Sequence, residues 1–310
     1  GSTPHQLIGS QPMRIGIFGG EGSVDQLIEG AEQAAADGFA SYWLPQIFGF
    51  DAMALCGVIG QRVPGLDLGT AVVPTYPRHP FVMAQQALTA NTLADGRFTL
   101  GIGLSHQIVI EAMFGYSFDK PLRHMRDYLA ALMPLLAGER VGVNTEAITA
   151  NGQLNARGSI TPDVMIAALG PKMLQLAGKE TAGTITWMTG PVTLAEHIRP
   201  TITDAAEAAG RPAPRIAAGL PVCVTDDAER ARSEAATTFA IYGQLPSYQA
   251  MIEREGASGP EGIAIIGSED EVGAQLERVA SAGVTDLAAV EFTADADDRA
   301  RTRAILKSLL

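Results

Sequence analysis

Cysteine is almost missing from this chain: Cys56 and Cys223 are the only two in 310 residues. Both fall in apolar elements, with no CxxC pair and no Cys/His spacing of a metal site. Buried thiols of a cytosolic protein are therefore expected, rather than a disulfide framework or a zinc centre. Positive charge is also scarce, since 22 Lys and Arg stand against 34 Asp and Glu, for a net charge of −12. That balance argues against a nucleic-acid or anionic-membrane partner. No apolar run is long enough to span a bilayer, and the first residues lack the basic-then-apolar pattern of a secretory leader. These absences lead to the expectation of a cytoplasmic protein acting on a small molecule. Residues 1–12 read as a tag remnant or disordered N-terminus, leaving 13–310 as one folded domain.

What the chain does have is rhythm. With 46% hydrophobic residues it can bury a full core, and apolar, strand-like runs alternate with helical patterns from end to end. Strands are predicted over Arg14–Gly19, Ala40–Leu44, Leu66–Val73, Arg97–Ile102, Asp163–Ala168, Gly183–Met188, Arg215–Val224 and Asp286–Phe292. The helices between them are Ser23–Asp37, Asp51–Gln61, Phe81–Leu93, Pro121–Ala137, Pro171–Thr181, Leu194–Ala209, Ala228–Tyr242 and Glu269–Ala282, with a last one over Asp297–Leu309. Gly38, Gly210 and Gly283 sit where a left-handed residue ends a helix. Eight strands in strict alternation predict an α/β fold, a single (β/α)8 TIM barrel. Two insertions interrupt it. Residues 140–160 read as a hairpin turning at Asn151-Gly152 before the fifth strand. Residues 244–267, with a short helix over Pro246–Glu255, lie between the seventh and eighth strands, either as a lid or as rim decoration.

In such a barrel the loops after the strands carry the site. The third strand is followed by Pro74, Thr75, Tyr76, Arg78 and His79, the fourth by Gly103, Leu104, Ser105 and His106. After the fifth, Leu169, Gly170 and Pro171 open a helix whose free N–H groups suit an anion, although an ordinary helix start reads the same way. Glu21 and Gln46 end the first and second strands, and Ser23 reads as a helix cap. Trp187 ends the sixth strand, where it either walls a flat ligand or fills the core. His79 and His106 lie on the loop face, whereas His124 and His197 fall on helices and are expected at the surface or as caps. No metal spacing, catalytic triad or carboxylate pair is visible. A mouth so poor in acids and bases suits an enzyme whose cofactor does the chemistry.

Several segments together carry a family resemblance: LGTAVVPTYPRHP (68–80), GRFTLGIGLSH (96–106), RHMRDYL (123–129), AALGPKML (167–174), TWMTGP (186–191) and GQLPSYQAM (243–251). In these the chain resembles the luciferase-like superfamily, specifically its actinobacterial coenzyme F420-dependent oxidoreductases. The resemblance implies a deazaflavin at the carboxyl ends of the strands and a non-prolyl cis peptide at Ala71–Val72. It further implies that Thr70, Ala71, Val72 and Val73 line the ring, that Gly103, Leu104, Ser105 and His106 contact the ring or ribityl chain, and that Leu169, Gly170 and Pro171 meet the phosphate. A homodimer is implied as well. The sugar-phosphate dehydrogenases of the family carry an Asp-His pair after the second strand and a Glu after the fourth. Here Pro45-Gln46 and His106 stand instead. The expectation is hydride transfer to an activated C=C or C=N bond, with His106 or Tyr76 as proton donor and Gln46 and Glu21 orienting the substrate. An FMN-dependent monooxygenase and a non-enzymatic flavin carrier are the alternatives.

Overall fold

The computed structural model describes residues 12–310; the tag or disordered stretch expected over 1–12 lies, but for Pro12, outside them. The strands are β1 (Arg14–Phe18), β2 (Ser41–Leu44), β3 (Asp67–Thr70) with its short continuation β4 (Val73–Pro74), β5 (Phe98–Gly103), β6 (Val141–Asn144), β7 (Thr149–Gly152), β8 (Asp163–Ala167), β9 (Gly183–Trp187), β10 (Arg215–Val224), β11 (Ile265–Gly267) and β12 (Asp286–Glu291). Eight of them, β1, β2, β3, β5, β8, β9, β10 and β12, pair in parallel and close on themselves, with Arg14 of β1 opposite Asp286 of β12. The predicted TIM barrel is the observed fold. β5 is buried along its whole length, as a strand packed on both faces should be.

The helices are α1 (Val24–Ala36), α2 (Ala52–Arg62), α3 (Pro80–Leu93), α4 (Pro121–Leu136), α5 (Pro171–Glu180), α6 (Pro191–Thr193), α7 (Arg199–Ala208), α8 (Ala228–Thr238), α9 (Pro246–Glu255), α10 (Glu269–Ser281) and α11 (Ala296–Ser308). Local chemistry sets their ends. Ser23 forms a capping box with Gln26 at the start of α1, and Gly38, Gly210 and Gly283 take the positive φ that a helix stop requires.

Inside the barrel, Trp43, Met165, Ile185, Ala217 and Ala288 form a plug, with Phe18, Ala71 and Val72 packed on it. Trp43 has room because Gly69 lacks the β-carbon its ring would meet, and its indole N–H donates to Ser41 Oγ at 2.9 Å. Phe18, Ala71 and Val72 end or follow strands, so they form the floor of the mouth. At the opposite end, Asp286 is 1% exposed and takes both Arg14 and Arg215, an ion network that ties the strand starts together.

Four departures from the sequence reading stand out. The third strand is not continuous over Leu66–Val73: β3 stops at Thr70, the Ala71–Val72 peptide is cis as the resemblance implies, and β4 resumes beside β5. The hairpin turns at residues 145–148, not at Asn151-Gly152. Thr145 Oγ1 accepts the Ile148 N–H at 3.0 Å, while Asn151 is spent across the strands on Asn144 at 2.9 Å. The helix predicted from Leu194 begins at Pro191 and widens into a π turn over Leu194–Ile198. Pro200 has no N–H to return to the residue 196 carbonyl, which favours that widening. Finally, β11 lies unpredicted within the glycine-rich loop and pairs with Val222–Val224, too short to show a period of its own.

Candidate active site

The floor is built from small residues. Ala71 and Val72 are half-buried and lie over the plug, whereas Val73 is fully buried in the layer between barrel and helices. Thr70 is also fully buried, its hydroxyl donating to the Gly101 carbonyl and accepting the Gly101 N–H, each at 2.9 Å. That leaves Ala71 and Val72 as the part of this stretch open to a ligand. Gly103 completes the surface: a β-carbon there would stand 2.6 Å from Val72 Cγ2 and 3.2 Å from Ala167 Cβ. The Thr75 N–H donates to the Gly103 carbonyl at 2.9 Å, clamping the loops after β4 and β5 together. Leu104 packs on the core, and Ser105 holds a left-handed φ of 61°, a conformation uncommon for a residue with a side chain.

Above the floor runs a series of aromatic rings. Phe18 lies 5.5 Å from Trp187, Trp187 is 5.7 Å from Tyr242, Tyr242 is 5.1 Å from Tyr248, and Tyr248 is 6.0 Å from His106. The segment from Tyr242 through Tyr248 of the insertion thus bridges the mouth from the end of β9 to the end of β5. Its far end is held by Glu255, whose carboxylate accepts the Val192 and Thr193 N–H groups at 3.1 and 2.9 Å. Trp187 Nε1 is buried without a hydrogen-bond partner. Burial pushes the His106 pKa down and the Tyr242 and Tyr248 pKa values up, because a low-dielectric setting disfavours the charged form.

The histidines exchange roles relative to the sequence reading. Loop-face His79 is the cap of α3: Nδ1 accepts the Phe81 N–H at 3.3 Å and Nε2 donates to the Thr149 carbonyl at 2.8 Å. Helical His124 is neither surface nor cap. It is buried, 3.0 Å from Thr75 Oγ1, and stacked on Tyr76 with ring centres 3.8 Å apart. Burial lowers its pKa to about 4, partly offset by the nearby Asp127 carboxylate. His197 is buried too and donates from Nε2 to the Leu169 carbonyl at 2.7 Å. Sequence spacing cannot distinguish the inner face of a helix from its outer face when a single histidine is the marker. The RHMRDYL and GQLPSYQAM segments that carry the family resemblance nonetheless contain His124 and Tyr248, to neither of which sequence spacing assigns a part in the site.

Tyr76 is the other half of this cluster. Its hydroxyl is buried with no partner, and burial, then Asp119 and Glu111, raise its pKa to about 12. It is therefore a neutral phenol, a hydrogen-bond donor without an acceptor. Gln46 instead spends its side-chain carbonyl on the Ala52 N–H at 2.8 Å, helping to start α2. Glu21 is exposed on the loop after β1. The structure thus gathers Tyr76, His106, Trp187 and the Ala71–Val72 floor at one end of the barrel, with Gln46 and Glu21 on neighbouring loops of that end.

Next to β5 lies β8, and the Leu169-Gly170-Pro171 turn follows it. Gly170 starts α5 with no side-chain cap and Pro171 takes the first helical position. The first-turn N–H groups of Lys172 and Met173 are thereby left for an outside acceptor. Thr184 Oγ1 donates to the Ile166 carbonyl at 2.8 Å and His197 holds Leu169, so the turn is pinned from both sides.

Comparison with known proteins accords with this geometry. Residues 9–286 match the family model described as luciferase-like monooxygenase. The 5,10-methylenetetrahydromethanopterin reductase of Methanolobus tindarius is 26% identical over 281 residues, covering 89% of this chain and 85% of that protein. Among solved structures, an F420-dependent secondary alcohol dehydrogenase in complex with an F420–acetone adduct superposes with a TM-score of 0.80 at 18% identity, covering 97% of this chain and 98% of that one. The oxygenating constituent of 3,6-diketocamphane monooxygenase from Pseudomonas putida, in complex with FMN, superposes with a TM-score of 0.74 at 17% identity, covering 95% and 96%.

Proposed function

The chain belongs to the luciferase-like monooxygenase family, and from that premise we propose that it is a cytoplasmic oxidoreductase using coenzyme F420 to reduce an activated C=C or C=N bond of a small organic molecule. The observation that carries the reading is the floor. Ala71, Val72 and Gly103 offer a flat ring a backing of small groups, and on the adjacent strand the uncapped start of α5 offers N–H groups to a phosphate. These features fit a deazaflavin or flavin with a phosphorylated side chain.

When bound, the reduced deazaflavin supplies a hydride, so saturation of the double bond needs one further proton from the protein or solvent. Tyr76 keeps its proton at neutral pH and has no partner for it, which suits it to donate toward developing negative charge. His106, its pKa lowered by burial, is mainly neutral there and serves as a hydrogen-bonding group rather than an acid. Trp187 walls the ring side, Glu21 orients the substrate from the loop after β1, and Gln46, its carbonyl held by the Ala52 N–H, does so from the loop after β2 through its amide NH2 alone. The protein acts as a homodimer through α2 and α3: α3 has no charged residue in 14 positions, and Val58, Val82 and Leu93 are exposed on these two helices.

Side-by-side titration of the full chain with F420 and FMN tests the reading. F420 is expected to bind at micromolar protein and FMN far more weakly. The reverse order supports the FMN monooxygenase reading, which accords with the shared fold of the FMN-bound diketocamphane monooxygenase constituent. Tight F420 binding with no reoxidation of reduced F420 by any enone or imine supports a carrier.

A further inference from the structure

We infer that the substrate entering this mouth is an uncharged, predominantly apolar molecule that presents a carbonyl-type acceptor to the Tyr76 hydroxyl; the inference rests on the oxidoreductase reading above and names its substrate class.

Three neighbouring loops form the entrance on this side. Asp51, at the end of the loop after β2, is ion-paired with Arg78 of the loop after β4. Tyr76 of that loop stacks on Phe118 of the loop after β5, ring centres 5.5 Å apart. The three loops are therefore continuous, and the two outer ones are apolar where they meet solvent. Phe48 is 65% exposed and Ile108 70% exposed, with Ile47, Phe50, Met113 and Phe114 also exposed. Exposed apolar side chains gathered on neighbouring loops are a feature that a ligand or partner covers.

Charge narrows the class. Across residues 45–51, 74–79 and 104–120 the only Lys or Arg are Arg78 and Lys120. Arg78 is neutralised by Asp51 and Lys120 lies 3.8 Å from Glu146. No free cation on these loops receives an anionic substrate, and Asp119 and Glu111 stand close enough to Tyr76 to raise its pKa. A cation finds little either, because Glu111 and Asp119 are both exposed, where water screens their charge, and the Glu111 oxygens are turned to Gln107 Nε2 at 3.1 Å and the Phe118 N–H at 3.3 Å. What these three loops leave unmet is a buried donor, the Tyr76 hydroxyl, as Trp187 Nε1 is at the end of β9. Leaving such a group unpaired is costly, so a ligand that supplies an acceptor gains by it.

Matched probes decide the matter: cinnamamide (neutral), cinnamate (anion), cinnamyltrimethylammonium (cation) and crotonamide (neutral but small), each titrated calorimetrically into the full chain with and without F420. Cinnamamide is expected to bind at least about tenfold more tightly than the other three. Phe48→Asp and Ile108→Asp, both at exposed sites that folding does not need, should each weaken it about tenfold, as loss of one apolar contact face would. Tyr76→Phe should weaken cinnamamide and leave its preference over crotonamide intact. Equal or tighter binding of either charged probe overturns the inference. So does an unchanged cinnamamide affinity in both aspartate variants, or a change of oligomeric state in them without a change in affinity. F420 affinity, measured separately, reports on the underlying reading: its loss with the probe ranking preserved sinks the cofactor and spares the substrate class.

Discussion

At the residue scale, one buried histidine links stability to pH. The folded pKa of His124, about 4, lies below the ordinary 6.5, so the unfolded chain takes up the proton first. Its contribution to stability is complete above about pH 6.5 and declines as pH falls toward 4, at about 1.4 kcal/mol per pH unit. Urea unfolding at pH 7.5 and pH 5 should therefore differ by about 2 kcal/mol more in the wild type than in His124→Gln. An identical pH difference in the two proteins would remove His124 as the source. His106 adds a slope of the same sign, since burial lowers its pKa too. None of this is legible in sequence. His124 and His79 are both single histidines near helix starts, and only packing turns one inward onto Tyr76 and leaves the other capping α3.

At the element scale, the bridge over the mouth depends on a helix start. Glu255, the last residue of α9, caps the helical run that begins at Pro191. A carboxylate there satisfies two orphan N–H groups and meets the positive end of the helix dipole. Glu255→Ala is expected to cost about 1 kcal/mol and to speed hydrogen exchange at Val192, Thr193 and across α9, with β5 unaffected. Unchanged exchange in α9 would mean that the Tyr242 and Tyr248 contacts alone dock the insertion. Here the sequence was half legible. The helix over Pro246–Glu255 follows from its pattern, and the structure agrees residue for residue. Its placement over the mouth comes from the ring contacts of Tyr248 with His106, 142 positions away in the chain, and with Tyr242, which in turn meets Trp187.

At the scale of the whole molecule, the two ends of the barrel do different work. The strand starts are tied by Arg14, Asp286 and Arg215, while the strand ends carry the floor and the rings, the division usual in this architecture. The outer face of α2 and α3 bears on assembly. For the proposed homodimer, Val58→Arg and Leu93→Arg should weaken association at least about tenfold in sedimentation equilibrium, since each buries an unpaired charge at the contact. A monomeric wild type would end that proposal. Among the described residues no helix is long and apolar enough to cross a membrane.

The sequence by itself determined the barrel, because alternation of apolar runs and amphipathic helices is a local, periodic property, and eight such units have few ways to close. It also determined which loops share one end of the barrel, since the loop residues after parallel strands lie together there. Tertiary structure alone decided which of those residues are free to act. Thr70, Gln46 and His79 look like ligand groups in sequence, yet each spends hydrogen-bonding capacity on a neighbouring backbone. Tyr76 retains a hydroxyl with none. Hydrogen-bond satisfaction depends on partners far apart in the chain, and no spacing rule records it.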